Sequence, residues 1–316
     1  MQVPKISLDE RKTTFKEVEI GFNEEQALQE ANRCLNCANP TCVEGCPAKV
    51  NIPGFIKAFK EGRILDAIEI IREKNFFPSI CGRICQHERQ CEGNCVLSKT
   101  KDGPVNIGGL ERFIGDFATL PESKKLNGKK VAIIGSGPSG LTAAAYLALK
   151  GLNVCVFEVS NSFGGVIKYG VPEFRLPKKT VSRELTMLHG LGIDFEPNSK
   201  IAEESIEELS KKFDVVFIGT GVGSSKKLNI PGSNLKGIIS AMKFLVNLNQ
   251  NNVPMVSPNE NVVIIGAGYV GIDAARSVIR LGAKATCVTI SSREDAEKSV
   301  SSKDYLEAEE EGVKFL

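Results

Sequence analysis

The cysteines restrict what this chain can fold into more than any other residue type. Eight of the ten lie in two groups, spaced Cys34-x2-Cys37-x4-Cys42-x3-Cys46-Pro47 and Cys81-x3-Cys85-x5-Cys91-x3-Cys95. Secreted disulfide scaffolds are short and cross-linked throughout, whereas this chain has 316 residues and carries only Cys155 and Cys287 beyond the second group. Such a concentration of thiols in a reducing compartment predicts metal binding.

The spacing within the two groups favours iron–sulfur clusters. Short intervals between cysteines on loops let several sulfurs converge on one iron–sulfur cube. A fourth cysteine followed by proline, as in Cys46-Pro47, commonly ligates a different cluster. Structural zinc sites also use closely spaced cysteine pairs and remain the alternative. The isolated Cys155 and Cys287 occupy equivalent predicted strands, and we expect them to be buried packing residues.

Length and texture divide the chain into three predicted domains: residues 1–120, 121–255 and 256–316. The first lacks strand alternation and contains short helices, one of which starts from an Asn23 cap and runs into Cys34. The other two each contain a buried strand, a glycine-rich turn, a helix and a second strand. Between these repeats, the segment from Asp214 to Gly221 is predicted to be another buried parallel strand.

Charge and hydropathy exclude two classes of partner. The net charge is +2 and no block of basic residues occurs, so nucleic-acid binding has no electrostatic support. No apolar run approaches the roughly 18 residues that a membrane span needs. The first residues contain no apolar signal region, and we therefore expect a cytoplasmic protein that binds no membrane.

Two glycine-rich turns predict dinucleotide binding. The first comprises Gly135, Gly137, Pro138, Ser139 and Gly140, between a strand and a helix. There the first glycine forms the turn, the second lets the backbone approach a pyrophosphate and the third allows close helix–strand packing. The N-terminus of the helix then faces the phosphate charge. Glu158, at the end of the second strand, is placed to accept hydrogen bonds from ribose hydroxyls.

The second turn repeats this fingerprint with Gly266, Gly268 and Gly271. Thr289 stands where the first unit has Glu158, and Arg293 follows. Without the acid, a 2′-phosphate meets no repulsion, and hydroxyls with an arginine suit that phosphate. These residues favour NADPH over NADH weakly, and both remain open.

Several segments carry a resemblance to a known family. Arg33-Cys-Leu-Asn-Cys, Gly45-Cys-Pro, Ser79-Ile-Cys-Gly-Arg-Ile-Cys and Gly103-Pro-Val-Asn-Ile-Gly-Gly-Leu-Glu resemble the small (β) subunit of glutamate synthase. The family includes the large subunit of NADH-dependent ferredoxin:NADP oxidoreductase and the N-terminal part of dihydropyrimidine dehydrogenase. The resemblance covers essentially the whole chain. It implies an α-helical two-cluster iron–sulfur domain, then α/β Rossmann-like FAD- and NAD(P)H-binding domains, the second of them incomplete.

The resemblance also implies the ligands of two [4Fe–4S] clusters. One is held by Cys34, Cys37, Cys42 and Cys95, and the other by Cys46, Cys85, Cys91 and Glu111. A carboxylate in place of a thiolate changes the cluster's potential through ligand identity and charge. Taken without the resemblance, Glu111 is an ordinary acid in the first turn of a helix. Cys81 is left over, and we expect it to be structural.

Flavin contacts are carried over in the same way. The segment that begins at Gly164 is similar to the family's FAD segment, and this similarity assigns Gly164, Gly165, Val166 and Arg175 to the flavin, with Ile201, Gly219, Thr220 and Gly221 less securely. A surface loop with a structural Gly-Gly turn is the alternative. The second glycine-rich turn departs from the family's usual Gly-Gly-Gly-Asn motif, and the paired arginines usual in NADPH-binding members are missing. This departure puts the choice of nicotinamide in doubt.

The implied activity is electron transfer from NAD(P)H through FAD and the two clusters to a partner. The partner is a glutamate synthase large subunit, a flavin and iron–sulfur subunit, or ferredoxin; no proton-transferring catalytic residue is predicted. Two alternatives remain: the large subunit of an electron-bifurcating ferredoxin:NAD(P) oxidoreductase, and a truncated, non-catalytic cluster-binding module. The sequence ends at Leu316 just as a third strand of the second unit begins. We therefore expect this chain to be a piece of a longer one.

Overall fold

The computed structural model describes residues 1–122, 125, 127–222, 225, 228–250, 255–290, 292, 295 and 302–316. They form two units that alternate along the chain. The first contains Met1–Lys5, Glu19–Gly165 and Lys178–Thr220, and the second contains Ile6–Val18, Val166–Pro177 and Gly221–Leu316. These units are defined by contacts between residues and not by the cofactors that each part binds. They therefore do not test the predicted domain boundaries, which stay a prediction.

Short helices occupy most of the described N-terminal residues. They are α1 (Leu8–Thr13), α2 (Glu24–Asn32), α3 (Thr41–Gly45), α4 (Ile52–Lys60), α5 (Ile64–Arg72), α6 (Pro78–Ile84) and α7 (Ile107–Asp116). Asn23 caps α2 as predicted, since its Oδ1 accepts from Gln26 N–H at 2.8 Å and its own N–H donates to Gln26 Oε1 at 3.0 Å. The apolar faces of α4, α5 and α7 bury Phe55, Ile68 and Leu110 in one core.

A four-stranded parallel sheet follows in the first unit, with strand order β3-β2-β1-β4. Its elements are β1 (Lys130–Ile134), α8 (Pro138–Leu149), β2 (Asn153–Phe157), α9 (Val166–Tyr169, in the second unit), α10 (Lys178–Gly190), β3 (Asp194–Glu196), α11 (Glu203–Lys212) and β4 (Val215–Ile218). Val131 pairs with Val154 of β2 and Val215 of β4. This register brings the turn after β1 to the carboxyl edge of the sheet, where ligands bind in parallel α/β folds.

The structure corrects one detail of this sheet. We predicted that the strand between Asp214 and Gly221 is buried, and β4 does run parallel to β1. However, Val215 is 55% exposed and Ile218 is 60% exposed. The physical reason is position: β4 is the last strand in the order, so only one of its two edges is paired among the described residues.

The second unit contains a three-stranded parallel sheet with the order β5-β6-β7. Its elements are α12 (Ala241–Asn249), β5 (Asn261–Ile265), α13 (Tyr269–Arg280), β6 (Lys284–Val288), α14 (Ser302–Glu310) and β7 (Lys314–Phe315). Ile272, Ala275 and Cys287 are fully buried in its core. The predicted burial of Cys287 is confirmed, whereas Cys155 is only half-buried. None of the described helices has the length and apolar character that crossing a membrane requires.

Candidate cofactor-binding sites

Four thiols from the two cysteine groups line one pocket. They are the predicted first set, Cys34, Cys37, Cys42 and Cys95, and the remaining wall is mostly apolar, with Ile52, Ile56, Val105 and Ile107 among its residues. Cys34 and Cys37 follow the end of α2, and Asn36 between them has a φ of 50°, a left-handed conformation that asparagine tolerates. The local turn therefore aims both thiols into the same space.

The thiols of this set lie close enough to affect one another's pKa. Burial, together with the neighbouring Cys95 and Cys34, raises the pKa of Cys42 to about 11. Burial likewise raises the pKa of Cys34, with Cys37 and Cys95 as further causes. Thiols held protonated in this way release their protons when they bind metal, so metal binding at this pocket is coupled to pH.

The donor set fits an iron–sulfur cluster. All the cysteines are free thiols, which leaves their sulfurs available as ligands. Among the described residues, no group of three His, Cys, Asp or Glu side chains has the arrangement that would hold a single metal ion. The four thiols are distributed around an apolar pocket, and soft sulfur donors within a hydrophobic shell are the environment that iron–sulfur clusters use.

Glu111 of the second predicted set lies near two thiols. This carboxylate is buried on α7, and burial raises its pKa to about 7. It lies close enough to Cys91 and Cys81 to raise the pKa of both thiols, although burial is the largest cause for Cys91 and the hydrogen bond with Cys85 is the largest for Cys81. Cys46 acts on Cys91 in the same way. Glu111 and Cys46 thus both act on Cys91, whereas Cys85 is linked to Glu111 through Cys81.

A close helix crossing holds this second set together. A Cβ atom on Gly82 of α6 would lie 2.4 Å from the backbone nitrogen of Arg112 on α7. Real Cβ atoms do not approach backbone so closely, so only glycine permits this crossing. The crossing thus fixes α6, which carries Cys81 and is followed by Cys85, against α7, which carries Glu111.

Sequence reasoning missed Asn75, which contacts this set. Its Nδ2 donates to Glu111 Oε1 at 2.7 Å, and the Cys81 thiol lies 3.5 Å from its Oδ1. Asn75 belongs to no spaced motif and lies 36 positions before Glu111. Nothing in the local pattern distinguishes it from an ordinary polar residue after a helix.

The first glycine-rich turn has the shape that a pyrophosphate site requires. Gly135 has a φ of 99°, and a Cβ on Gly140 would lie 2.0 Å from the Gly135 carbonyl oxygen. By contrast, a Cβ on Gly137 would meet no atom within 4 Å. Gly137 therefore borders open space at the N-terminus of α8, which begins with Pro138 and Ser139, a position that suits a phosphate.

Glu158 is held beside this turn by hydrogen bonds. Its Oε2 accepts from the backbone N–H of Ser136 at 2.9 Å and from the Ser136 hydroxyl, and its Oε1 accepts from Ser160 N–H at 2.9 Å. Burial acts to raise the pKa of Glu158, but these hydrogen bonds outweigh it and lower the pKa. The carboxylate stays charged and retains lone pairs for further donors such as hydroxyls.

Part of the predicted flavin segment meets the glycine-rich turn. Gly164 N–H donates to the Ser136 carbonyl at 3.1 Å, and a Cβ on Gly165 would lie 2.8 Å from Gly137 Cα. Gly219, which precedes Thr220 and Gly221, also touches the turn, since its carbonyl lies 2.5 Å from where a Gly135 Cβ would stand. The structure thus brings three predicted segments to one place.

The remaining predicted flavin contacts have other surroundings. Ile201 packs against the cluster of Ala132, Ile134 and Leu209. Val166 begins α9 and is exposed. Arg175 is buried in the second unit, where its Nη2 lies 2.8 Å from both Asp273 and Asp304. Burial of Arg175 opposes its charge, but these two carboxylates outweigh that effect and raise its pKa.

The second turn repeats the geometry of the first. Gly266 has a φ of 100°, a Cβ on Gly271 would lie 2.1 Å from the Gly266 carbonyl oxygen, and a Cβ on Gly268 would meet nothing within 4 Å. Thr289 follows β6, and its N–H donates to the Leu316 carbonyl at 2.9 Å. The predicted contact Arg293 lies outside the described residues.

Comparison with known proteins identifies the family. Residues 11–122 match the family described as dihydropyrimidine dehydrogenase domain II, 4Fe-4S cluster, and residues 129–316 match the pyridine nucleotide-disulphide oxidoreductase family. The chain is 36% identical to the glutamate synthase [NADPH] small chain of Azospirillum brasilense over 97% of its length, which spans 67% of that protein. It is 37% identical to that of Escherichia coli over 99% of its length, spanning 69% of that protein.

A solved structure supports the fold alone. A 2-naphthoyl-CoA reductase complex superposes with a TM-score of 0.53 and 21% identity, covering 86% of this chain and 38% of the other. Together with the family matches, this confirms the predicted fold class of a helical iron–sulfur domain followed by Rossmann-like nucleotide-binding structure. The chain belongs to the glutamate synthase small-chain family and is an NAD(P)H-dependent flavin and iron–sulfur oxidoreductase.

Proposed function

We propose that this chain takes electrons from NADPH and passes them through FAD and two [4Fe–4S] clusters to a partner subunit, the large subunit of a glutamate synthase. The observation that carries the proposal is the convergence of four thiols, those of Cys34, Cys37, Cys42 and Cys95, on one apolar pocket. This pocket lies in the same unit as the first glycine-rich turn. When bound, the flavin accepts hydride from the nicotinamide and the clusters carry single electrons.

The residues of the chain bind and orient these groups. The four thiols of the pocket hold the first cluster, and Cys46, Cys85, Cys91 and Glu111 hold the second. The apolar wall around the first set limits water near its cluster, which affects its potential.

FAD binding falls to the first glycine-rich turn. The open space at Gly137 receives the pyrophosphate at the N-terminus of α8, and Glu158 accepts from the ribose hydroxyls. The contact of Gly165 with Gly137 carries the chain from the phosphates towards the flavin ring. We retain residues 1–120, 121–255 and 256–316 as the cluster, FAD and NAD(P)H domains.

The second turn binds the nicotinamide cofactor in this proposal. Thr289 presents no carboxylate at the position where Glu158 stands in the first unit, and both named small chains are designated NADPH enzymes. A 2′-phosphate therefore meets no acid from Thr289, which supports NADPH.

The test is chemical analysis of anaerobically purified protein. The proposal expects about eight iron and about eight sulfide per chain, bound FAD, an EPR signal after reduction, and faster oxidation of NADPH than of NADH. Zinc in place of iron, or no inorganic sulfide, contradicts the cluster assignment. Absence of flavin supports the non-catalytic cluster-binding alternative instead.

The partner is tested separately by adding candidate acceptors. With a glutamate synthase large subunit, glutamine and 2-oxoglutarate should accelerate NADPH oxidation. Acceleration only by ferredoxin together with the other nicotinamide would instead identify the bifurcating oxidoreductase.

A further inference from the structure

Asn75 lies between a carboxylate, that of Glu111, and a thiol, that of Cys81. Its amide group contacts the Glu111 carboxylate on one side, 2.7 Å from Nδ2, and the Cys81 thiol on the other, 3.5 Å from Oδ1. Cys81 in turn lies within hydrogen-bonding reach of Cys85, one of the proposed cluster ligands. A soft sulfur donor and a hard oxygen donor are therefore both held by one residue.

The orientation of this amide is fixed by the backbone. The N–H of Phe77 donates to Asn75 Oδ1 at 3.0 Å, and a backbone N–H can only donate. Flipping the amide would set its NH2 group against that N–H, so the Nδ2 end must face Glu111. Asn75 is itself anchored at the end of α5 by its N–H, which donates to the Ile71 carbonyl at 2.8 Å.

We propose that Asn75 is a positioning residue that selects Glu111 over Cys81 as the fourth ligand of the second cluster. It holds Glu111 Oε1 and thereby leaves Oε2 for iron, while its own Oδ1 keeps the Cys81 thiol engaged. The inference rests on the proposed function, because it takes Glu111 as a cluster ligand.

Loss of Asn75 removes both restraints at once. Glu111 loses a hydrogen-bond donor and Cys81 loses its acceptor. Iron in such clusters favours thiolate over carboxylate oxygen, so Cys81 then replaces Glu111. In this exchange an iron–oxygen bond breaks and an iron–sulfur bond forms, the thiol proton passes to the released Glu111 carboxylate, and no electron is transferred.

The experiment compares Asn75→Ala, Cys81→Ser, the double variant and Glu111→Ala in the full chain, by iron and sulfide content and by EPR of the reduced protein. Asn75→Ala should keep about eight iron atoms per chain but change the EPR signal of the second cluster, and Cys81→Ser alone should change neither. The double variant should fall about twofold in iron, because neither the held carboxylate nor the thiol remains.

Two further variants keep the inference testable. Asn75→Asp has the same size and still accepts from Phe77 N–H, but cannot donate to Glu111; it should also change the EPR signal, even if the alanine variant folds poorly. Asn51→Ala removes a comparable asparagine that caps α4 through Gly54 N–H at 3.1 Å, and should leave iron and EPR unchanged.

Different outcomes overturn different statements. If Glu111→Ala changes the spectrum while Asn75→Ala and Asn75→Asp do not, the role of Asn75 is wrong and the ligand assignment stands. Retention of all iron by the double variant, or loss of the second cluster in Asn75→Ala alone, also overturns it. If Glu111→Ala leaves the spectrum unchanged, Glu111 is not a ligand, and that part of the proposed function fails.

Discussion

The buried carboxyl of Glu184 should make the stability of this chain fall as pH rises. Glu184 lies on α10, and its side chain is only 1% exposed. Neither of its carboxylate oxygens has a hydrogen-bond partner within the described residues. The nearest cation is Arg183, at 3.8 Å. The neighbouring Ser79 hydroxyl donates to Asp116 at 2.7 Å instead. Water therefore cannot solvate the charge, and the protein replaces little of that solvation.

The magnitude follows from the pKa. Burial raises the pKa of Glu184 from 4.5 to about 7, against the opposing effects of Arg183 and Arg72. A rise of this size corresponds to about 3 kcal/mol of unfolding free energy. Since the folded pKa is the higher one, the stability is fully present below pH 4.5 and is lost as pH rises through about 7. About 2 kcal/mol of it is lost between about pH 5.5 and about pH 8.5.

Replacing Glu184 with glutamine should remove this loss. We expect the free energy of unfolding, measured anaerobically by urea denaturation near pH 5.5 and near pH 8.5, to fall by about 2 kcal/mol more in the native chain than in Glu184→Gln. Any constant effect of the new amide cancels in this difference. The control Glu208→Gln changes charge at an exposed site of α11 and should follow the native chain. Parallel pH profiles for the native chain and Glu184→Gln would refute the reasoning.

Three other substitutions test the packing and the sites. Gly82→Ala forces a methyl group against the backbone of Arg112 and should cost about 1–3 kcal/mol in urea denaturation, with reduced iron content because the crossing holds the second ligand set. Gly137→Ala should leave stability within about 0.5 kcal/mol, since the methyl group meets no protein atom, but should weaken FAD binding at least about tenfold by fluorescence titration. Glu311→Ala removes the carboxylate that pairs with the buried Arg276 and Arg280; Arg276 keeps Glu307 at 3.0 Å, and the loss at Arg280 should lower the unfolding free energy by about 3–5 kcal/mol.

Spacing along the chain predicted those features of the sites that depend on local geometry. Cys34, Cys37 and Cys42 need only tight turns to aim their thiols, whereas the place of Cys95 in the first set was implied by the family resemblance. The two glycine-rich turns follow directly from strand, turn and helix patterns. The exposure of Val215 was not predictable, because an apolar run is the same in a central strand and in an edge strand. The contact of Asn75 with Glu111 and the carboxylate partners of Arg175 were not predicted for another reason. Contacts between residues far apart in sequence depend on how the elements pack, and the sequence pattern does not record that packing.

The two glycine-rich turns share a backbone design but differ in what surrounds it. In each turn the fold leaves no room for a side chain on the third glycine, because a Cβ would lie 2.0 Å from the Gly135 carbonyl oxygen at Gly140 and 2.1 Å from the Gly266 carbonyl oxygen at Gly271. A Cβ on the second glycine of each turn would meet no atom within 4 Å. In the first unit the Ser136 N–H and hydroxyl hold the Glu158 carboxylate in its charged form, and in the proposed function this carboxylate accepts from ribose hydroxyls.

The second unit has Ala267 where the first has Ser136, and Thr289 where it has Glu158. Ala267 offers no hydroxyl to orient an acid, and Thr289 is no acid. Both differences act in the same direction, since an anionic 2′-phosphate is repelled by a carboxylate and tolerated in its absence. In the proposed function, the discrimination between FAD and NADPH therefore depends on this serine–carboxylate pair and not on the glycines, whose geometry is common to both turns.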